Sequence, residues 1–232
     1  MNRISWPNPP MPAPMLPRKN NMISRLIDWF DFRLGIKAFY EKHIAFTLPE
    51  GVSFWTLFGG LTIGCLLIQV ITGIYMVSYY VPVPELANAS LRTMGGTTEI
   101  GRLVRNFHRY SAMAGMLFLT IHMFHIIARR AYRNPRELNW WLGLSMMFLF
   151  ILALITGIIV PWDWRSYWEL VIWMDWIDNI PLIGPILKGP LLSGFTLGRN
   201  YIIHIFILPM LLFGLLFFHI LVMRRLGMSK KV

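Results

Sequence analysis

Charge is scarce in this sequence. Only 14% of its 232 residues are charged, against about 25% in an average soluble domain, which excludes an ordinary water-soluble globule. Acidic residues are scarcer still, 11 against 22 lysines and arginines. Cysteine is nearly absent. Cys65 alone excludes an internal disulfide, and no CxxCH run exists for covalent haem attachment. No apolar stretch follows the first basic residues, so a cleavable signal peptide is not expected. What fills the chain instead is apolar: 56% of residues are hydrophobic, and the mean hydropathy is +0.52.

About 20 apolar residues cross the hydrocarbon core of a bilayer. Four stretches qualify, roughly 53–80, 106–129, 139–160 and 200–224. The fold class that follows is an all-α membrane protein, a bundle of four transmembrane helices set in a lipid bilayer. The net charge of +11 is not spread along the chain. Arg3, Arg18, Lys19, Arg25, Arg33, Lys37 and Lys42 precede the first span. Arg129, Arg130, Arg133 and Arg136 lie between the second and third, and Arg224, Arg225, Lys230 and Lys231 follow the fourth. With four spans these regions share one side, and they hold fifteen of the 22 bases. The other loops, near 81–105 and 161–199, carry Glu85, Glu99, Asp163, Glu169, Asp175 and Asp178. The positive-inside rule then puts both termini on the side of the cytoplasm or its equivalent, and a cell inner membrane, cytoplasmic or energy-transducing, is the expected location. The basic balance reports topology, and no nucleic-acid partner is expected.

Three segments follow along the chain. Residues 1–21, with PNPPMPAPMLP, read as a Pro-rich tail. Residues 22–50 begin with MISRLIDWFDFRLGIKAFYEKHI, where Ile23, Leu26, Ile27, Phe30, Leu34 and Phe39 recur at helical spacing. That pattern suits an amphipathic helix on the cytoplasmic membrane surface, and the periodicity alone equally fits an ordinary soluble amphipathic helix. Residues 51–232 hold the four spans. Within them, VPWDWRSYWELVIWMDWID places five tryptophans (162, 164, 168, 173 and 176) within fifteen residues. Indoles favour the bilayer interface, so short interfacial helices are expected there, followed by the loop IPLIGPILKGPLLSG.

Histidine inside lipid is costly unless something uses it. NFHRYSAMAGMLFLTIHMFH carries His108 and His122, and NYIIHIFILPMLLFGLLFFH carries His204 and His219. Fourteen residues of helix rise about 21 Å and return to within about 40° of the starting face. His108 and His122 therefore share a face at two depths. His204 and His219 are fifteen apart, and a bend near Pro209 is expected to absorb the extra residue. The second and fourth spans run in the same direction, which pairs His108 with His204 and His122 with His219. Two such pairs suit two haems, each with bis-imidazole ligation in the bundle core. The first span adds Gly59 (beside Gly60) and Gly73, and the third adds Gly143 and Gly157, again fourteen apart. Glycine admits a flat ligand close to the backbone. Each residue taken singly has a plain alternative in helix packing. The joint pattern does not.

These residues make the chain resemble the cytochrome b subunit of cytochrome bc-type complexes, and most closely its short b6 branch, over nearly all of residues 22–230. The shared motifs are IDWFDFRL, FGG and QVITG, HRYSA with the later His122, NPREL, TG…PWD, HIFILP with the later His219, and RRLGMS. The resemblance implies two non-covalent b haems. His108 and His204 would hold the one nearer the positive side, and His122 and His219 the one nearer the negative side. Arg105 and Arg109 match arginines beside the positive-side haem, where propionates need cations. Arg224 matches an arginine near the quinone-reduction site. PWDWRSYW, with Asp163 and Tyr167, would wall the quinol-oxidation site.

The implied activity is that of a quinol:cytochrome c oxidoreductase, with a plastocyanin-like protein as an equivalent acceptor. Electrons from quinol cross the membrane through both haems to quinone, with proton translocation. The glutamate of a PEWY motif is absent, so a partner carrying the carboxyl-terminal half, like subunit IV, must supply it. A Rieske iron–sulfur protein, a c-type cytochrome and a homodimeric complex complete the implied partners. The chain departs from the b6 pattern in three respects. Leu57 stands where that branch attaches a third haem to cysteine, and Cys65 lies on another face, so a covalent third haem is not expected. Trp164 and Arg165 replace smaller residues after PWD, which reshapes the quinol pocket. His125 replaces an arginine one turn beyond His122, with a propionate or quinone contact and an interfacial hydrogen bond as its two readings. A di-haem anchor of a dehydrogenase or hydrogenase would not account for the glycine pairs, PWD or NPREL. A purely structural subunit would leave four intramembrane histidines without a use.

Overall fold

The computed structural model describes residues 22–39, 54–182, 184 and 197–227. The tail expected over 1–21, residues 40–50 of the expected surface segment and most of the loop IPLIGPILKGPLLSG lie outside the described residues. Two compact units divide the chain, Met1–Pro49 and Glu50–Val232.

In the first unit, α1 (Met22–Leu34) is followed by the single turn α2 (Ile36–Phe39). Gly35 separates them at φ +60° and donates its N–H to the Asp31 carbonyl at 2.7 Å, a left-handed helix end. The Arg33 guanidinium lies 3.9 Å from the Trp29 ring centre. The Lys37 ammonium lies 3.2 Å from Asp28 and 3.7 Å from Asp31. Ile23, Leu26, Ile27 and Phe30 line one open concavity with Ile36, as the apolar periodicity requires.

In the second unit, four helical stretches are long and apolar enough to cross a membrane: Phe54–Val77, Glu99–Ala128, Glu137–Ile159 and Leu197–Leu226. The chain is a multi-pass membrane protein. A 3₁₀ turn opens the first span, which continues as α3 (Leu57–Val77). The second span is α5 (Glu99–Ala128), preceded by α4 (Pro84–Thr97), and the third is α6 (Glu137–Ile159). After α7 (Trp164–Asp178), the fourth span runs through α8 (Leu197–Ile202), a π turn (Ile203–Ile207) and α9 (Leu208–Leu226). No strand occurs among the described residues.

The spans pack in two hairpins. The first lies along the second and the third along the fourth, while contact between the second and third is sparse. Between them, a Cβ on Gly115 would sit 3.1 Å from Cys65 Cβ and 3.0 Å from Phe150 Cζ, so a small residue there lets three helices approach. Leu119, Met123 and Phe150 form a buried cluster beside this contact. A second cluster closes the far end, with Ala87, Leu91 and Met94 of α4 packed on Tyr80, Val160 and Leu197. There the Tyr80 hydroxyl donates to the Val160 carbonyl at 2.6 Å. Burial, helped by Tyr201, pushes that phenol up to about 12 and keeps it a donor. At the opposite end, Arg136 donates to the Gly227 carbonyl at 3.3 Å and joins the arginine-rich loop to the end of the fourth span.

Three expectations needed revision. The segment near 81–105, expected as a loop, contains α4 and the first two turns of the second span. The short helices expected in the tryptophan-rich segment are one helix of 15 residues. The extra residue between His204 and His219, expected to be absorbed by a bend near Pro209, is taken up by the π turn that ends two residues before it. Within that turn the Leu208 N–H reaches the carbonyl of Ile203, five residues back, which inserts one residue without rotating the rest of the helix. Pro209 has no N–H to restore the α pattern.

Candidate functional site

The four histidines and four glycines meet in two layers. In the upper layer, an added Cβ on Gly73 would lie 3.6 Å from His108 Cε1, and one on Gly157 would lie 2.8 Å from His204 Cε1. In the lower layer, the same construction on Gly59 falls 3.1 Å from His122 Cε1, and on Gly143 3.8 Å from His219 Cε1. Each imidazole therefore stands over its own glycine on the neighbouring helix. The first hairpin supplies one glycine–histidine couple to each layer, and the second hairpin supplies the other. The helical period sets this up. Fourteen residues repeat the face in three spans, and the π turn restores the same phase in the fourth.

The His108 and His204 ring centres are 6.3 Å apart, with planes at 68°. A metal–imidazole bond of about 2.0–2.1 Å, with each ring centre about 1 Å beyond its nitrogen, spaces two axial rings by about 6 Å. The upper pair fits a single metal between the rings. His122 and His219 are close enough to interact electrostatically, and the Nδ1 atoms of both are buried without a hydrogen-bond partner. Orphaned imidazole nitrogens of this kind are costly in an apolar layer. Among the described residues no three of His, Cys, Asp and Glu converge, so the donor set is imidazole pairs. Paired imidazoles with glycine beneath each ring fit the two axial ligands and flat macrocycle of a b-type haem.

Hydrogen bonds hold the upper layer. Gln69 Nε2 donates to the His108 carbonyl at 2.5 Å and to Ser111 Oγ at 2.6 Å. Thr72 Oγ1 lies 2.8 Å from His108 Nδ1, and Thr156 Oγ1 lies 3.0 Å from His204 Nδ1. Asn200, fully buried, donates from Nδ2 to the Thr156 carbonyl at 3.0 Å and ties the fourth span to the third. Sequence reasoning passed over Gln69, Thr72, Thr156 and Asn200 as individual residues. A signal was present in Ile-Thr-Gly, which occurs at 71–73 and again at 155–157, each time ending on an upper-layer glycine.

The other expected residues lie outside these layers. Asp163 caps α7, accepting from the Ser166 N–H and hydroxyl, both at 2.9 Å. Burial works to raise its carboxyl, but the Ser166 hydrogen bonds, with help from Arg105, hold it below its ordinary value of 3.8. Tyr167 is half exposed and meets Trp168 edge-on. Arg105 is half-buried, close to Asp163 and to the backbone at Gly95. Arg109 is exposed, as is Arg224 in the last turn of α9. His125 is half-buried one turn past His122, near Arg129. Leu57 opens α3 half exposed, while Cys65 is buried against Gly115.

Known proteins resemble this chain over most of its length. Cytochrome b6 of Stigeoclonium helveticum is 34% identical over 212 residues, which span 89% of this chain and 99% of that protein. Cytochrome b6 of Synechococcus elongatus is 32% identical over the same share of each. A chain of a hyperthermophilic respiratory Complex III superposes with a TM-score of 0.77 at 28% identity, covering 88% of this chain. This chain spans 56% of that longer one. The sequence profile described as cytochrome b/b6/petB matches residues 43–227, a stretch that takes in all four spans and both histidine layers. The chain therefore belongs to the cytochrome b/b6 family.

Proposed function

We propose that this chain is the di-haem electron-transfer subunit of a quinol:cytochrome c (or plastocyanin-like acceptor) oxidoreductase. One observation carries the reading: each of four half-buried imidazoles stands over its own glycine, in two layers of two. Two non-covalent b haems, cycling between ferric and ferrous iron, would supply one-electron carriage between a positive-side quinol-oxidation site and a negative-side quinone-reduction site. The chain's own residues bind and insulate. His108 and His204 would hold the haem of the upper layer, and His122 and His219 that of the lower. The glycines admit the macrocycle edge, and the apolar cluster of Leu119, Met123 and Phe150 keeps water out between the layers. Arg105 and Arg109 offer cations to propionates at the upper end.

The upper layer lies toward the positive side, because the three arginine-rich regions share the other end. Asp163 and Tyr167 sit where a quinol pocket would open at that end, and Arg224 sits at the quinone-reducing end. The amphipathic helix α1 lies on the cytoplasmic membrane surface. Quinol oxidation at one face and quinone reduction at the other translocate charge and release protons outside. A Rieske iron–sulfur protein, a subunit carrying the carboxyl-terminal half, a c-type cytochrome and a second copy of the complex complete the assembly. A covalent third haem is not part of this reading, since Leu57 has no thiol.

The test is a reduced-minus-oxidised spectrum of the purified membrane complex, with haem extraction into acidified acetone. Two extractable b haems per chain and no covalent residue are expected. No b haem at all would overturn the proposal.

A further inference from the structure

The two layers differ in one kind of contact. Each upper histidine meets a threonine hydroxyl at Nδ1, 2.8 Å for Thr72 on His108 and 3.0 Å for Thr156 on His204. Each threonine directly precedes the glycine that faces the same ring. The lower glycines are preceded instead by Phe58 and Leu142, which have no hydroxyl. Correspondingly, Nδ1 of His122 and of His219 is buried without a hydrogen-bond partner.

The direction of the upper hydrogen bonds follows from proton count. A hydroxyl has one proton to give. Thr72 gives its proton to the Ile68 carbonyl at 2.5 Å, and Thr156 to the Leu152 carbonyl at 2.8 Å. Toward imidazole each hydroxyl therefore accepts, Nδ1 carries the proton, and Nε2 presents its lone pair. An axial imidazole whose far N–H donates is fixed in tautomer and ring angle and is the more basic ligand. Peptide carbonyls approach rings in both layers: those of Gln69 and Ala153 near the upper pair, that of Asn139 near His219. The hydroxyl is what the lower layer lacks.

We propose that Thr72 and Thr156 are positioning residues that make the upper histidine pair the stronger electron donors, and so hold the upper haem at a lower midpoint potential than it would have without them. A more basic axial ligand favours ferric over ferrous iron, which sets the sign. The inference rests on the two-haem reading above and adds to it a built-in difference between the layers. That difference is encoded by the residue before each glycine.

The experiment uses the intact membrane complex carrying T72V, T156V, T72S or T156S, with T72A and T156A read the same way where a valine variant does not accumulate. Each is followed by potentiometric titration of the b-haem absorbance and by electron paramagnetic resonance of the ferric low-spin signals. Removing either hydroxyl is expected to raise one of the two midpoints and move one of the two low-spin signals, leaving the other pair of values in place. Serine is expected to restore the wild-type values. Two haems with unchanged midpoints and signals in the hydroxyl-free variants would overturn this inference alone, since the peptide carbonyls would then suffice. Equal displacement of both haems would also overturn it. A wild-type complex without b haem would overturn it together with the two-haem reading.

Discussion

Single atoms decide the layers, and the glycines show it first. A Cβ on Gly157 would come within 2.8 Å of His204, whereas one on Gly60 meets nothing within 4 Å. Gly157→Ala is therefore expected to cost about 1–3 kcal/mol as overpacking and to lose the upper haem, about half the extractable total. Gly60→Ala keeps both, and haem content per chain checks the contrast. Asp163 gives a second expectation at this scale. Its carboxyl is depressed by the Ser166 hydrogen bonds, so its contribution is complete above the unfolded carboxyl value, about 3.9, and fades as pH falls through the lower folded value. Asp163→Ala should speed amide exchange at Ser166 at neutral pH by the loss of a cap, about 0.5–2 kcal/mol, and the difference should shrink in acid. Asp163→Asn caps equally well without charge, so a loss of quinol oxidation in that variant separates a chemical role from a structural one. The histidines and glycines were legible in the sequence because the cost of a polar group in lipid and a fourteen-residue period both point to them. The threonines were not. Their hydroxyls bond back to carbonyls of their own helices, which is what most membrane threonines do, and spacing alone does not reveal a second contact.

At the scale of elements, the fourth span is the one that departs from a regular helix. Its spacing of fifteen announced an extra residue, yet Pro209 drew attention to itself, and only the backbone hydrogen bonds locate the insertion at Ile203–Ile207. The distinction is testable by shortening the chain. Deleting Ile205 removes one residue from the π turn, sets His204 and His219 fourteen apart, and is expected to leave both b haems in place. Inserting one alanine after Gly115 in α5 turns His122 by about 100°, and the lower haem is expected to be lost. Spectra of the two variants, read for one haem or two, decide it. The helix α4 was not legible as an element. Its Gly95-Gly96 pair and polar residues look like a loop, and its helicity comes from burying Ala87, Leu91 and Met94 against Tyr80 and Val160. Tertiary packing overrides a weak local preference there.

For the whole molecule, the number of spans followed from hydropathy alone, because a bilayer allows few alternatives, and arginine placement supplies the expected direction. Single cysteines at Asn134 and at Asn88, in a Cys65→Ser background, should react with impermeant thiol reagents from opposite faces of sealed vesicles. Asn134 is expected to be reached from the cytoplasmic face, and labelling of both from one face would refute the topology. How the spans pair was not legible, since all four are apolar around most of their circumference. The observed pairing gives two hairpins whose closest helix packing lies within each, and it has a bearing on biogenesis. A chain emerging residue by residue inserts its first hairpin before its second exists. At that moment it already displays Gly59 with His122 and Gly73 with His108, half of each binding layer. Neither layer is complete until the second hairpin arrives. On the two-haem reading the prosthetic groups would act as clasps across two successively inserted halves, so that haem supply would govern not only whether the protein works but whether its halves stay together.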